Sequence, residues 1–413
     1  MRGVGERFND YVRLDTGANA AVTTAPSSAG QTRLLEMLAG ELRGMGITPD
    51  FRPDLLIAHV SATPGFEHAP AAGFIAHVDT SPELPGHGVK PVVHRNYDGR
   101  DLRFADDASL VLRAADHPAL AAKRGHDIVT ASGRTLLGAD DKAGVAILMT
   151  LAEQLMTTSA VHGPVSIAFT TDEEIGRGAD GFDLEAFDAV AAYTLDGGEI
   201  GELESENFNA DVATVTFTGF NTHPGYAKGK MANALRALGH FLARLPTDLS
   251  PERTSDREGF VHPHAIEGGV ERASVDVNLR DFDLDAMRGH ARLIDDLARE
   301  AAAKVPGVVV SVEHVEQYRN MRDALARHPH VVEFAEAAIR EAGLTVLRKP
   351  IRGGTDGAKL SAMGLPTPNL FSGQHNIHSR LEWVSIQDMD KAVEVCIHLC
   401  RIWSTGQPSG SRV

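Results

Sequence analysis

Hydrophobic and polar positions change period several times along the first 207 residues of the chain. Short runs rich in β-branched and apolar residues predict strands, and apolar residues at helical spacing predict helices between them. The predicted strands are residues 55–60, 72–76, 165–170 and 189–195, and the predicted helices are residues 31–45 and 141–156. Strands that alternate with helices of this length are typical of a mostly parallel sheet covered on both faces.

The middle of the chain, from Phe208 to Tyr318, follows a different order. Its pattern predicts a strand, a helix, two strands paired around Gly268 and Gly269, a second helix and a last strand. In chain order these are residues 211–217, 230–245, 259–267, 271–280, 283–304 and 308–314. The order β-α-β-β-α-β is that of a ferredoxin-like unit, so we expect a self-contained α+β domain.

After Tyr318 the α/β pattern resumes, with helices predicted at 330–342 and 386–403. The stretch 350–379 is rich in Gly and Pro and is predicted to be mostly loop, and the tail 406–413 is expected to lack regular structure. The sequence thus predicts an α/β protein. Its main domain comprises residues 1–207 and 321–413, and a ferredoxin-like domain is inserted at 208–320.

Charge and composition narrow the classes of function. The 40 Lys and Arg residues against 56 Asp and Glu give a net charge of -16, which repels nucleic acid and anionic lipid. No stretch reaches the ~20 apolar residues of a membrane helix. The N-terminus carries charges where a signal peptide needs an apolar core, so a cytoplasmic protein is expected. Cys396 and Cys400 lie one helical turn apart in an apolar run, which favours buried packing over a disulfide or a metal pair.

Two polar clusters fall near predicted strand and helix ends in the first domain. In His77-Val78-Asp79, the imidazole could bind zinc while the carboxylate holds its other nitrogen, or a buried His could be capped by Asp in a turn. In the segment GADDKAG, Asp140 and Asp141 precede a helix and could simply cap it. Two consecutive Asp residues between glycines exceed what a cap requires, and such a carboxylate could bridge two cations.

Two further acidic clusters directly follow predicted strands. The three acids Asp172, Glu173 and Glu174 come after VSIAFT, where their repulsion would be offset by a metal. An acidic loop open to water is the alternative. The position favours a site, because open α/β sheets bind ligands beyond the carboxyl ends of their strands. Asp196 follows a strand in the same way, with an ordinary Asp-Gly turn as its alternative.

A last candidate, His378, lies far along the chain in the segment QHNIHS, where a lone loop histidine is usually a surface residue. Together the clusters supply two His and several carboxylates, a mixed N/O set suited to a pair of zinc-like ions. Paired ions about 3.5–4 Å apart can lower the pKa of a shared water, and an unligated carboxylate can then take its proton. Metal-assisted hydrolysis is the chemistry that these residues favour.

These segments, in this order, carry a resemblance. HVDT, GADDKAG, TDEEIG, LDGGE and HNIH resemble the M20 family of di-zinc metallopeptidases. NTHPGYAKGKMANAL, LRDFD and KPIRGGTDGAKLSAMGLPTPNLF extend the resemblance over most of the chain. It implies that the α/β domain is catalytic and that the insertion at 208–320 is a lid, through which members of this family often form homodimers.

The resemblance also implies roles for the clustered residues. Asp140 would bridge two Zn²⁺ ions, although the same donors also accept Mn²⁺ or Co²⁺. Asp79 would orient the first zinc ligand, and Glu173 would act as general base. The remaining metal ligands would be His77, Glu174, Asp196 and His378.

Three residues outside these clusters match positions that contact substrate in the family. His223 would help to stabilise the oxyanion, and Arg280 and Arg352 would contact substrate carboxylate or carbonyl groups. A rim ion pair is the alternative for Arg280, and a loop-bracing hydrogen bond is the alternative for Arg352. Ser379 departs from the family, which commonly has Gly after the last ligand, and this residue is expected to affect the pocket rim.

The function implied is that of an aminopeptidase that releases the N-terminal residue of short peptides, preferentially tripeptides. Two alternatives remain open at this point. One is another amidohydrolase of the same architecture, namely a dipeptidase, a carboxypeptidase or an N-acyl-amino-acid deacylase. The other is a non-catalytic peptide-binding relative that kept the fold.

Overall fold

The computed structural model describes residues 1–406, so nearly all of the tail predicted to be irregular lies outside the described residues. The chain forms two compact units. The first comprises Met1–Ser205, Met321–Lys349 and the chain from Thr355 onward, and the second comprises Glu206–Asn320 and Pro350–Gly354.

The helices of the described chain are α1 (Val4–Tyr11), α2 (Ala29–Gly44), α3 (Pro118–Ala121), α4 (Ala139–Thr157), α5 (Leu184–Phe187), α6 (Ala234–Leu242), α7 (Leu284–Ala303), α8 (Arg322–Leu325), α9 (Pro329–Glu341), α10 (Asp356–Ala362) and α11 (Ile386–Thr405). The strands are β1 (Asp50–Phe51), β2 (Leu55–Val60), β3 (Ala72–His77), β4 (Val92–His94), β5 (Leu102–Phe104), β6 (Asp107–Leu112), β7 (Ile128–Thr130), β8 (Val165–Thr170), β9 (Ala191–Gly197), β10 (Glu202–Asn207), β11 (Asn209–Thr218), β12 (Phe260–Gly268), β13 (Arg272–Asp281), β14 (Val309–Tyr318), β15 (Leu347–Ile351), β16 (Asn369–Phe371), β17 (Gln374–His375) and β18 (Trp383–Ser385).

A large sheet in the order β1-β2-β8-β3-β9-β16-β10-β15 organises the first unit. Its centre is parallel, since β3 pairs in parallel with β8 and β9, and β16 pairs in parallel with β9. β2 and β10 add antiparallel pairs on either side of this centre. Every residue of β3 and β8 is buried, as expected for strands covered on both faces. The predicted α/β class is confirmed.

Helices cover both faces of this sheet, and their apolar residues pack against it. α4 packs against β3 and β9 on one side and against α1 and α11 on the other. It is therefore buried nearly all round, which explains its almost uninterrupted apolar sequence after residue 142. On the other face, Ile57 and Ala168 of the sheet pack with Leu360 of α10.

The second unit is a four-stranded antiparallel sheet in the order β12-β13-β11-β14, against which α6 and α7 pack. With its helices, this is the predicted ferredoxin-like unit. Val215 of β11 lies opposite Val275 of β13, and both are buried. They form one apolar cluster with Phe241 of α6 and Ile294 of α7. The alternation along these strands therefore directs one face toward the helices.

The stretch 350–379 is more regular than the sequence predicted. It contains α10 and β16, and the carbonyls of Pro366 and Pro368 beside β16 accept hydrogen bonds from β9. These elements are too short to show a period of their own. Residues 350–354 cluster with the second unit rather than the first, because the Phe208 N–H donates to the Ile351 carbonyl within that unit.

Two smaller expectations concern the cysteines and the membrane. Cys396 and Cys400 are free and buried on α11, which confirms their packing role. Among the described helices, none combines the length and the apolar character needed to cross a bilayer.

The core of the second unit gives a stability prediction. Phe241 is fully buried and its ring centre lies 6.1 Å from that of Phe217. We expect Phe241→Ala to lower the free energy of unfolding of this unit by about 3–5 kcal/mol through lost contacts and a cavity. Urea unfolding curves measure the effect. Leu235→Ala on the same helix is the control, since Leu235 is 44% exposed. Equal midpoints for the two variants would contradict the assigned core.

Candidate metal centre

Three parallel strands deliver the first polar side chains to one edge of the large sheet. His77 ends β3 and lies in register with Thr170, the last residue of β8. Ile75 of β3 lies in register with Thr194 of β9, so Asp196 lies two residues beyond that pair, as His77 does. Because parallel strands share a carboxyl edge, the sheet register brings these positions together.

Two groups of side chains at this edge each offer three donor atoms within 4.8 Å of one another. In the first group, His77 Nε2 lies 3.1 Å from Asp140 Oδ1 and 3.7 Å from Asp196 Oδ1. In the second group, His378 Nε2 lies 3.3 Å from Asp140 Oδ2 and 3.0 Å from Glu174 Oε2. Asp140 therefore belongs to both groups and presents a different oxygen to each. The five side chains predicted as ligands come from five separate segments of the chain.

Asp79 is fully buried and connects the histidine strand to the acidic loop. Its Oδ1 lies 3.4 Å from His77 Nδ1, on the side of the ring away from Asp140. The same carboxylate accepts the backbone N–H of Glu173 at 3.1 Å and that of Glu174 at 3.0 Å. The main-chain carbonyl of Asp79 lies 3.2 Å from the same Nδ1, so Asp79 orients the imidazole through its carbonyl and its side chain, and its carboxylate positions the two glutamates.

The two donor groups bring several acidic side chains close to one another and to two imidazoles, and this shifts their pKa values. Burial, with the charge of Asp140, raises the pKa of Asp196 to about 6 and that of Glu174 to about 7, although the histidines act in the opposite direction. Hydrogen bonds to Asp140 and Glu174 raise the pKa of His378 to about 11. Burial disfavours charge on Asp140, but its bonds to both histidines outweigh this and hold its pKa below the usual range. The site favours cations next to its carboxylates.

Glu173 belongs to neither group of donor atoms. Burial first, and then the charges of Asp356 and Asp196, raise the pKa of its carboxyl well above the usual value, with His77 opposing them. A carboxyl in this environment takes up a proton more readily than an exposed one.

Comparison with known proteins identifies the family. The model of peptidase family M20/M25/M40 matches residues 135–401. The chain belongs to this family. Peptidase T of Clostridium perfringens is 43% identical over 406 residues, which is 98% of this chain and 100% of that protein. Peptidase T of Escherichia fergusonii is 43% identical over 401 residues, with coverage of 96% and 98%.

Solved structures share the fold. An aminopeptidase PepT from Bacillus cereus superposes with a TM-score of 0.75 at 22% identity, over 97% of this chain and 98% of that one. A tripeptidase from Staphylococcus aureus gives 0.76 at 18% identity, with the same coverage. With the family and the near full-length relatives, these findings confirm that the chain is a metallopeptidase with the predicted architecture.

The three residues that the M20 resemblance assigned to substrate all lie in the second unit. His223 is exposed, and its Nδ1 accepts the Gly225 N–H at 3.1 Å. The Arg280 guanidinium donates to the carbonyl of Asp211 at 3.0 Å and to Gln317 at 2.6 Å. Both of these side chains have partners within that unit, and the substrate contacts of all three residues stay predictions.

Arg352 makes the loop-bracing bonds that were the alternative to substrate binding. It donates to the carbonyls of Asp256 and Glu258 at 2.8 and 2.9 Å, and it lies over the rings of Phe208 and Phe260. These contacts tie residues 350–354 to the second unit.

Two buried acids beside the ligands, Asp141 and Glu382, received no role of their own from the sequence. Asp141 accepts the His77 N–H at 3.2 Å and the Gly144 N–H at 3.1 Å. Gly144 is required there, because a Cβ would lie 2.4 Å from the Leu195 carbonyl oxygen. Glu382 accepts backbone N–H groups just before α4. In the sequence, Asp141 stands directly beside a candidate ligand. Glu382 follows a candidate ligand by four residues and stands between two apolar residues, which could have indicated a buried acid.

Ser379, the departure from the family, closes a local turn. Its Oγ donates to the Asn376 carbonyl at 2.6 Å and accepts the Leu381 N–H at 3.1 Å. The backbone of His378 has a φ of +55°, which lies in the left-handed region, and this turn holds the residue in that conformation.

Asp79 provides a test of this framework. Asp79→Ala leaves the N–H groups of Glu173 and Glu174 without their acceptor, so the free energy of unfolding of the metal-free protein should fall by about 2–4 kcal/mol. Urea unfolding measures the change. As a control, Asp183→Ala removes the cap of the short helix α5 and should cost about 1 kcal/mol. A smaller loss for Asp79→Ala than for Asp183→Ala would contradict the bracing role.

Proposed function

We propose that the protein is an aminopeptidase that releases the N-terminal residue of tripeptides and uses two zinc ions. The observation that carries this proposal is the sharing of Asp140 between two groups of donor atoms, in a chain 43% identical to Peptidase T over nearly its whole length. Imidazole and carboxylate donors suit zinc, although manganese or cobalt would fit the same set.

The residues present fit such ions. Each group offers one imidazole, one terminal carboxylate and one oxygen of Asp140. Glu174 Oε1 is buried and has no hydrogen-bond partner among the described residues, which is costly unless a ligand such as a cation occupies that side. Bound ions would act as Lewis acids toward the peptide carbonyl and lower the pKa of a water molecule.

The chain's own residues would then handle the proton and the geometry. Glu173, the acid outside both ligand groups, accepts a proton from the attacking water and passes it to the departing amine. Burial raises the pKa of the Glu173 carboxyl above its ordinary value, and a carboxyl that holds a proton more readily can also act as the acid. Asp79 holds His77 so that Nε2 faces the site.

Substrate contacts come from the second unit in this proposal. His223 would stabilise the oxyanion, and the guanidinium groups of Arg280 and Arg352 would contact the substrate carboxylate or carbonyls. The unit would act as a lid and carry the contact of a homodimer in the cytoplasm. Support for these roles is the M20 resemblance together with the position of all three residues in one compact unit.

The general base is tested by Glu173→Gln. Turnover of a tripeptide should fall by about 10²–10⁴-fold or more, because the amide cannot take the proton. Metal content should stay at the wild-type level, because Glu173 lies outside both donor groups. Steady-state kinetics and elemental analysis of one preparation measure both. Glu185→Gln, an exposed acid on α5, is the matched control and should behave as wild type. Wild-type turnover in Glu173→Gln would remove the base from that position.

The substrate class is tested with peptides of two to four residues, each with a free or an acetylated N-terminus. We expect the free tripeptide to give the highest kcat/KM and the acetylated one to be cleaved poorly. Chelator treatment should abolish activity and added Zn²⁺ should restore it. Preference for the acetylated peptide would instead identify a deacylase of the same architecture, and binding without cleavage by the metal-loaded protein would identify a peptide-binding protein.

A further inference from the structure

Glu382 binds the backbone of a segment that is remote from it in sequence. Its side chain is 1% exposed, and its two oxygens accept four consecutive N–H groups. Oε2 accepts from Leu137 at 2.7 Å and Gly138 at 2.9 Å, and Oε1 accepts from Ala139 at 2.7 Å and Asp140 at 3.2 Å.

These N–H groups belong to the segment that leads into the helical part of α4, since Asp140 (φ −80°, ψ 106°) and Asp141 (φ −116°, ψ 35°) are not helical. The N-cap residue, Gly138, makes no side-chain cap bond, and its φ of +79° helps to turn successive N–H groups toward one point. A carboxylate from about 240 residues away in sequence therefore holds the backbone of residues 137–140. These bonds fix the backbone that carries Asp140.

Glu382 is also connected to the loop that carries His378, another member of the second donor group. Glu382 follows His378 by four residues, and its own N–H donates to the Ser379 carbonyl at 3.3 Å. Asn376 donates to the Leu381 carbonyl at 3.2 Å, so this loop is cross-linked on both sides of His378. Glu382 thus links the loop that carries His378 to Asp140, whose Oδ2 lies 3.3 Å from His378 Nε2.

We propose that Glu382 is a positioning residue that holds Asp140 against His378 and so sets the metal affinity of the donor group formed by Asp140, Glu174 and His378. This inference rests on the proposed function only in requiring that the site binds metal ions. A residue that merely stabilised the fold would lower stability without acting selectively on this group of donors.

Glu382→Gln is the first test. The amide keeps the shape of the side chain and one acceptor, but its NH₂ group faces backbone N–H donors and would push the segment 137–140 away. Titration of the metal-free protein with Co²⁺ should show the ion of the group with His378 bound about 10–100-fold more weakly, a smaller loss at the other ion because Asp140 belongs to both groups, and an altered visible absorption spectrum. The kcat for tripeptide should fall while KM changes little.

Two companion variants separate positioning from folding. Glu382→Asp keeps the charge on a shorter stem and should recover part of the Co²⁺ affinity and of the wild-type spectrum. Asp388→Asn is the control, because Asp388, which lies on α11, is equally buried and pairs with Lys123 rather than with the segment 137–140. It should lower the unfolding midpoint and leave both Co²⁺ affinities unchanged.

The outcomes are distinguishable from a failure of the proposed function. If the wild-type protein binds no metal, the proposed function is wrong. If it binds two ions and Glu382→Gln binds both with wild-type affinity and spectrum, the positioning role is wrong. Loss of affinity in Asp388→Asn equal to that in Glu382→Gln would overturn it as well. Should Glu382→Gln fail to fold, Glu382→Asp decides, since unchanged Co²⁺ binding despite a shifted carboxylate would contradict the proposal.

Discussion

One carboxylate, that of Asp140, is the feature on which the site depends. Its two oxygens face two imidazoles, at 3.1 Å for His77 and 3.3 Å for His378. A carboxylate buried to 7% exposure is costly unless both oxygens are partnered, and cations beside it would offset the repulsion from the other acids. The remaining architecture serves to bring these groups to one point.

The surrounding structure places this carboxylate through several independent constraints. Parallel register between β3, β8 and β9 aligns the ends of three strands at one edge. Asp79 then ties the histidine strand to the acidic loop, and Glu382 ties the helix start to the last loop. In both cases a buried carboxylate accepts hydrogen bonds from backbone N–H groups. These bonds satisfy the carboxylate oxygens, and neither acid is one of the candidate metal ligands. The centre is thus held by backbone geometry rather than by the ligands alone.

The residues with proposed roles lie in different units. The α/β unit contains both donor groups and Glu173, whereas His223, Arg280 and Arg352 lie in the ferredoxin-like unit. In that unit the arginines are already bonded to main-chain carbonyls, so a role in substrate binding would use their remaining donors or an exchange of partners. Variants of the second unit can therefore test the proposed peptide contacts without changing a metal-ligand candidate.

The sequence by itself determined the class of the fold and most elements, because periods of 2 and 3.6 are local properties: β8 and α4 were both visible in this way. It also contained the candidate ligands, whose roles the M20 resemblance assigned, and strand ends that meet at one edge account for the positions of His77, Glu174 and Asp196 among them. Only the tertiary structure decided that the carboxylate of Glu382 binds the backbone N–H groups of residues 137–140 and that residues 350–354 join the second unit. Such contacts join segments far apart in the chain, and no local period records which distant backbone a buried acid will meet.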